Sequence, residues 1–296
     1  MQGRFELKFV VDAETKQRFL DAVKENLTAD PHGQNAVYRV SSLYFDTPDY
    51  RAVWEKLDGE SVRRKFRLRY YTLDETSMAG GDSKVTADNA FMEIKHRINN
   101  TVYKQRAKLT AEGATSILTD AGQLGRLADH VHDSAIKQEQ FLIDEIQRST
   151  TLQKLRAATV ITYLREAWLG TVDHRLRVTF DSQCQAYGPH NFAEVQNNTG
   201  KDCLDPNLII MEVKFDRAIP CWIRDVLRDQ HLQLQRFSKY ASGILNESTN
   251  GFSKPDIFHG IEYEPIPGEM QHSNDAATPA PVVNMDHVLP NDSPVQ

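Results

Sequence analysis

The run Lys65-Phe66-Arg67-Leu68-Arg69-Tyr70 decides how this chain is read. On a β-strand successive side chains point to opposite faces, so Lys65, Arg67 and Arg69 share one face while Phe66, Leu68 and Tyr70 share the other. The same alternation recurs along the chain. Arg4, Glu6 and Lys8 stand against Phe5, Leu7 and Phe9, and Glu93, Lys95 and Arg97 against Met92, Ile94 and His96. Lys104, Arg106 and Lys108 fall together. Tyr163 and Arg165 oppose Thr162 and Leu164, and Arg175 and Arg177 oppose Leu176, Val178 and Phe180. Glu212, Lys214 and Asp216 alternate with Met211, Val213 and Phe215.

Working outward, strand-type runs are expected over 4–11, 36–46, 62–72, 90–98, 101–109, 158–167, 173–181 and 207–216. Asn99-Asn100 is a hairpin signal, and Leu169-Gly170-Thr171 suits a turn. Helical periodicity falls at Asp12–Asn26, Asp49–Leu57, Thr110–Leu127, Gln138–Leu155, Pro220–Asp229 and Gln235–Leu245. Many strands with few strand–helix–strand units predict an α+β protein: a closed, eight-stranded antiparallel β-barrel with helices packed outside. Asp74–Asp88, with Gly80-Gly81, reads as an exposed loop. From Gly251 the composition shifts to Pro, Asn, Asp, Ser and His, so 1–250 is expected to form one domain and 251–296 a largely disordered tail.

A solvated sheet face usually mixes both signs of charge. Here most charged-face positions are Arg or Lys, although the chain carries a net charge of −6. Two like charges 4 Å apart at a surface-like dielectric repel by about 4 kcal/mol. Helices need the apolar faces outside, so the cations converge on the bore, where a polyanion would relieve their repulsion. Arginine's forked donors suit phosphate in particular. The overall acidity gives no sign of a nucleic-acid binder. Glu6, Glu93 and Glu212 each precede a lysine by two residues, on three different strands. Two readings of them stay open: carboxylates gathered for a hard divalent cation, Mg²⁺ or Mn²⁺, or internal counter-ions for the lysines.

Cys184, Cys203 and Cys221 show no paired spacing, which points to a reducing, cytoplasmic setting rather than a disulfide framework. No apolar run approaches the roughly 20 residues of a membrane helix. His130 and His132 lack an evident set of partner ligands, Asp46-Thr47-Pro48-Asp49 fits a strand end with a helix cap, and Trp54, Trp168 and Trp222 suit the core.

Beyond this pattern, several segments carry a resemblance. They are Arg4-Phe5-Glu6-Leu7-Lys8-Phe9, Ser41-Ser42-Leu43-Tyr44-Phe45-Asp46-Thr47-Pro48, Lys65–Tyr70, Phe91-Met92-Glu93-Ile94-Lys95, Thr162-Tyr163-Leu164-Arg165, Ile210–Phe215 and Phe237-Ser238-Lys239-Tyr240. In this order the chain resembles the catalytic domain of the vacuolar transporter chaperone (VTC) polyphosphate polymerases, in the triphosphate tunnel metalloenzyme superfamily. The resemblance implies a tunnel in which the γ-phosphoryl of ATP passes to polyphosphate with a divalent metal. It implies Lys8, Arg67, Arg69, Lys95, Arg165, Arg177 and Lys214 as phosphate ligands, with Arg39, Lys104 and Arg106 beside them. Glu212 is implied as the principal metal ligand, Ser238 and Lys239 as a lid, and Tyr163 as a neighbour of the phosphate.

Lys8, Arg67, Arg69, Arg165 and Lys239 are then the expected catalytic set. Hydrolytic and cyclase relatives begin Glu-x-Glu-x-Lys, whereas this chain has Arg4 in place of the first carboxylate. That favours transfer; a triphosphatase and a non-catalytic polyphosphate sensor remain the alternatives. The membrane helices and inositol-phosphate-sensing domain of large family members are not in this sequence, so membrane contact is expected only through a partner protein.

Overall fold

The structure, a computed structural model, describes residues 3–32, 35–72, 90–190, 195 and 199–247. The expected tail and the expected loop at Asp74–Asp88 lie outside the described residues. Among the described residues ten strands form: β1 (Arg4–Asp12), β2 (Leu27–Ala29), β3 (Val37–Asp46), β4 (Val62–Thr72), β5 (Ala90–Ile98), β6 (Thr101–Lys108), β7 (Arg156–Gly170), β8 (Arg177–Tyr187), β9 (Lys201–Asp202) and β10 (Leu208–Phe215). Seven α-helices accompany them among the described residues: α1 (Ala13–Val23), α2 (Arg51–Leu57), α3 (Ala111–Thr119), α4 (Asp133–Ile136), α5 (Gln140–Gln153), α6 (Cys221–Asp229) and α7 (Lys239–Glu247).

The long strands hydrogen-bond in the order β7-β3-β4-β5-β6-β1-β10-β8, and β8 returns to pair with β7. Every pairing is antiparallel, so the sheet closes into the expected eight-stranded barrel with no free edge among these strands. The short β2 and β9 add to the ends of β7 and β8. Asn99 takes a positive φ of 53° in the turn between β5 and β6, a conformation that asparagine tolerates and a tight hairpin requires.

The apolar faces point outward under helices. Leu43, Phe66, Leu68, Met92 and Ile94 are buried against Ile117 of α3 and Leu142, Ile143 and Ile146 of α5. On another flank Phe9, Val178, Phe180, Met211 and Val213 pack on Phe19 of α1 and Ile223 and Leu227 of α6. A third cluster joins Val53 and Trp54 of α2 to Tyr240, Ala241 and Ile244 of α7. Burying a large aliphatic side chain contributes roughly 1.5–3 kcal/mol, and this covering obliges the charged faces to look inward.

Some boundaries differ from expectation. The seventh strand starts at Arg177 and runs to Tyr187; residues 173–176 form a turn in which Asp173 accepts from the Arg175 and Leu176 amides. The helix expected over Thr110–Leu127 stops at Thr119, because Asp120 caps the Gly122 amide and a 3₁₀ stretch follows. The helix expected from Gln235 begins at Lys239. Residues 232–238 instead run as an irregular strap, tied by the Gln235 amide to the Lys8 carbonyl at 2.8 Å. Asp46 accepts from the Thr47 and Ala52 amides and from Tyr240, and Thr47 accepts from the Arg51 amide; the segment Asp46–Asp49 thus caps and anchors α2. Among the described residues no helix is long and apolar enough to cross a membrane.

Candidate functional site

The inward faces enclose a cavity of about 1150 Å³. Among the described residues its lining holds eighteen Lys and Arg side chains against three glutamates, Glu6, Glu60 and Glu212. Strand register accounts for part of this concentration. Lys65 of β4 lies directly opposite Lys95 of β5, and Lys95 lies opposite Lys104 of β6. Like charges placed opposite one another destabilise a bare sheet. Three lysines in one cross-strand row therefore mark a surface shaped for anions.

Buried carboxylates orient the deeper cations. Glu93, fully buried, takes the Arg67 guanidinium at 2.9 and 2.7 Å and Lys104 at 2.8 Å, while Tyr44 accepts from Arg67 at 3.0 Å. Arg69 donates to the Tyr163 hydroxyl at 3.0 Å and to Ser42 at 3.2 Å. Arg165 is held by both oxygens of Asp181, at 2.6 and 2.7 Å, and Lys239 reaches the same carboxylate at 2.6 Å. Glu212 gathers Lys214 at 2.6 Å, Lys8 at 3.1 Å and Lys239 at 3.5 Å. Lys95 pairs with Glu6 at 2.7 Å, and Arg177 with Asp30 at 2.5 Å and the Tyr38 hydroxyl at 2.6 Å. Lys65 donates to Ser238 at 2.8 Å. α7 brings Lys239 into the bore because its next residue, Tyr240, stacks on Tyr44 with centroids 4.8 Å apart.

These fields dominate the titration of the site. Burial alone would raise the Glu6 carboxyl, but Lys95, Lys214 and Lys8 bring it down to about 2. Burial likewise opposes the charges on Glu93 and Glu212. Arg67, Arg69 and Lys104 overrule it at Glu93, and Lys214, Lys8, Lys239 and Arg165 at Glu212, so both stay ionised. Burial also opposes the Lys239 charge, yet Asp181 and Glu212 hold that ammonium above its usual range. Burial pulls Lys214 down to about 8 despite Glu212 beside it.

Lys8, Arg67, Arg69, Lys95, Lys104, Tyr163, Arg165, Arg177, Lys214, Ser238 and Lys239 all line the cavity. Arg106 also lines it, but is exposed and set over the Phe91 ring at 4.8 Å. Arg39 departs from the expected set. On β3 it is Tyr38 and Tyr44 that line the bore, so alternation turns Arg39 to the outer face, where it donates to Gln183 at 3.2 Å. Asp181, Asp30, Tyr44 and Lys65 were not among the expected site residues. Continuing the Arg175–Arg177 alternation through Thr179 would have reached Asp181.

Among the described residues Glu6, Glu93 and Glu212 do not form one metal cluster. Among the described residues no three His, Cys, Asp or Glu side chains gather as metal ligands. Glu93 is the counter-ion of Arg67 and Lys104, a pairing set by the β4–β5 and β5–β6 registers. Glu6 and Glu212 are diagonal neighbours across β1 and β10, since Glu6 opposes Lys214 and Lys8 opposes Glu212. A Mg²⁺-type ion needs only one or two carboxylates when substrate phosphates and water complete its shell. Glu212 with Glu6 fits that requirement.

The sequence model of one family, the VTC domain, matches residues 3–246. The chain belongs to the VTC domain family. No curated protein matches it. A Hippeastrum protein described as an adenylyl cyclase candidate with a dominant triphosphatase activity aligns at 12% identity, covering 82% of this chain and 95% of its own, with a TM-score of 0.47. An adenylate cyclase candidate from Bacillus halodurans aligns at 12% identity over 79% and 92%, TM-score 0.43. The Mimivirus capping-enzyme triphosphatase aligns at 9% identity over 77% and 88%, TM-score 0.34. The eight-stranded closure of this VTC domain stands on its own hydrogen-bond pattern, not on these likenesses.

Proposed function

We propose that this VTC domain is a metal-dependent polyphosphate polymerase, moving the γ-phosphoryl group of ATP onto a polyphosphate chain inside the tunnel. The observation that carries this reading is the excess of cations over carboxylates in the lining, eighteen against three among the described residues. Two polyanions must meet end to end, and such a lining offsets their mutual repulsion. Phosphoryl transfer asks a protein chiefly for placement and charge stabilisation.

In this reading Lys8, Arg67, Arg69, Arg165 and Lys239 grip the donor and acceptor phosphates, with Lys95, Lys104, Arg177 and Lys214 around them. Ser238 arrives from the strap and Lys239 from the first residue of α7, and both close over the bore. A terminal-phosphate oxygen of the acceptor forms the new P–O bond while the bond from the γ-phosphorus to the β–γ bridging oxygen breaks, and ADP leaves. A terminal phosphate has a second pKa near 6 and arrives largely ionised, so no base is required. Glu212, with Glu6, would hold Mg²⁺ or Mn²⁺, which supplies further charge neutralisation on the phosphates.

The state of the carboxylates favours transfer over hydrolysis. A hydrolase benefits from a carboxylate basic enough to deprotonate water. Here Glu6, Glu93 and Glu212 are each bound by cations and held at low pKa, which makes them poor bases. Arg4, where hydrolytic relatives carry a carboxylate, lies at 3.6 Å from Asp216.

The test is incubation of the purified protein with ATP and Mn²⁺, with and without a short polyphosphate primer. Products are resolved on a polyphosphate-stained gel and free phosphate is assayed in parallel. A ladder with little free phosphate supports the polymerase. Free phosphate without a ladder makes the protein a triphosphatase, and neither product makes it a binding module.

A further inference from the structure

Resting on the reading of ATP as the donor, we infer that a second recess, beside the bore, takes the nucleoside of the donor nucleotide. Phe91 is its stacking platform, and Gln138 and Glu139 are its polar contacts.

The recess encloses about 350 Å³ between Phe91, Arg106 and Lys108 of the barrel and the stretch from α4 into α5. It adjoins the bore, because Arg106 lines both spaces. Alternation puts Phe91 on the inward face of β5, one inward position beyond Glu93, which is about 7 Å along the strand. Glu93 holds Arg67 and Lys104. A donor with its β- and γ-phosphates on those two cations would carry its α-phosphate toward Arg106 and its nucleoside into the recess. The strap lies at the other end of the barrel. Its Arg236 repels Arg97, which stands roughly 20 Å of strand away from Phe91.

The recess has a different chemistry from the bore. Besides two cations it offers a ring face, the Ala135 methyl, a carboxamide and a carboxylate. A further phosphate would meet the Glu139 carboxylate and the apolar ring, whereas an uncharged nucleoside meets neither penalty. Phe91 is only half-buried, and the Arg106 guanidinium stands 4.8 Å from its ring centroid. Tyr71, a residue of the bore lining, meets the same ring edge-on with centroids 6.2 Å apart. Aromatic faces and guanidinium planes both stack on nucleobases, so this assembly is a base platform that starts in the bore and ends in the recess. The Gln138 carboxamide can donate and accept, and the Glu139 carboxylate can accept from an exocyclic amine or a ribose hydroxyl.

The experiment titrates the full chain and its F91L variant calorimetrically with ATP and with inorganic triphosphate, at fixed salt and Mg²⁺. F91L keeps an apolar side chain of similar bulk and removes the ring. The readout is the ratio of ATP affinity to triphosphate affinity, which should fall about fivefold or more while triphosphate affinity stays within about twofold. An unchanged or raised ratio, as from equal loss for both probes, overturns the nucleoside recess and leaves the tunnel reading in place. Failure of the unaltered chain to bind either probe overturns the tunnel reading itself. Binding of triphosphate but not ATP by the unaltered chain overturns the recess together with ATP as donor. If F91L melts early, Q138A/E139Q is titrated with the same two probes and judged on the same ratio.

Discussion

Two parts of one tunnel wall use the same residue types in opposite ways. Around Asp181 and Glu212, Arg165, Lys239, Lys214 and Lys8 are locked by carboxylates at 2.6 to 3.5 Å. Around Arg63, Arg97 and Arg236 two arginines face each other across the strands, and the carboxylates that act on them, Glu55, Glu60 and Glu6, do so from beyond ion-pair distance. In the first region a cation is part of the architecture and is oriented before any ligand arrives. In the second, like charges stand opposite one another, and none of these side chains has a carboxylate within 4.0 Å among the described residues. Counting Lys and Arg would treat the two regions alike; the cross-strand partners tell them apart.

The largest expected effect breaks the locked region. Asp181→Asn leaves Arg165 and Lys239 buried with one shared carboxylate lost, and removing one partner of a buried pair costs about 3–5 kcal/mol. Chemical denaturation should show a loss of that order. A loss under about 1 kcal/mol would mean that the region is solvated and its ion pairs are not structural.

Next in size is the effect of ligand. Inorganic triphosphate at a hundred times its Kd should stabilise the protein by about 2.7 kcal/mol, read as a rise in melting temperature. No rise at saturating triphosphate would deny that the bore is an anion site.

A smaller effect comes from Lys214, whose ammonium lies at about 8 in the folded protein. Its folded pKa is below the unfolded value, so the unfolded chain binds more protons between about pH 8 and 10. Lys214 therefore makes the free protein gain stability as pH rises through that window. Triphosphate binding needs the charged form and should weaken by up to about tenfold from pH 7 to 9. Titrations across that range should show the decline in the unaltered protein and a flatter profile in K214R. Identical profiles would assign the pH dependence elsewhere.

The smallest effect returns to the unbalanced region. Arg97→Gln alone should leave stability unchanged or raise it by up to about 1 kcal/mol, since it removes a repulsive partner. A clear destabilisation would mean that Arg97 is held by favourable contacts.

The barrel was legible because its strands are half-buried, and a half-buried strand writes its geometry into polar–apolar alternation. Lys65–Tyr70 and Met211–Phe215 show this plainly. β3 does not: from Tyr38 to Asp46 every residue is buried, on both faces, so Val-Tyr-Arg-Val-Ser-Ser-Leu carries no alternation to read. Arg39 was accordingly expected in the bore and lies outside it. Asp181 escaped because the seventh strand was begun four residues early and stopped at that residue. The Glu-x-Lys repeats marked Glu6, Glu93 and Glu212 as facing inward, but not which cation each would meet. Those partners depend on register between strands distant in sequence, which placed Glu93 on Arg67 and Glu212 on Lys8. The strap at 232–238 has no periodicity at all, since it is positioned by one backbone bond to β1 and by Phe237 packing.

The most direct test of the central claim follows phosphorus itself. A ³¹P NMR time course of the protein with ATP, Mg²⁺ and a short polyphosphate primer reports donor, acceptor and free phosphate in one sample. The predicted result is growth of internal-phosphate signal in step with ADP, one chain phosphate per ADP, with inorganic phosphate near background. Inorganic phosphate accumulating in step with ADP while internal-phosphate signal stays flat would contradict phosphoryl transfer within this tunnel.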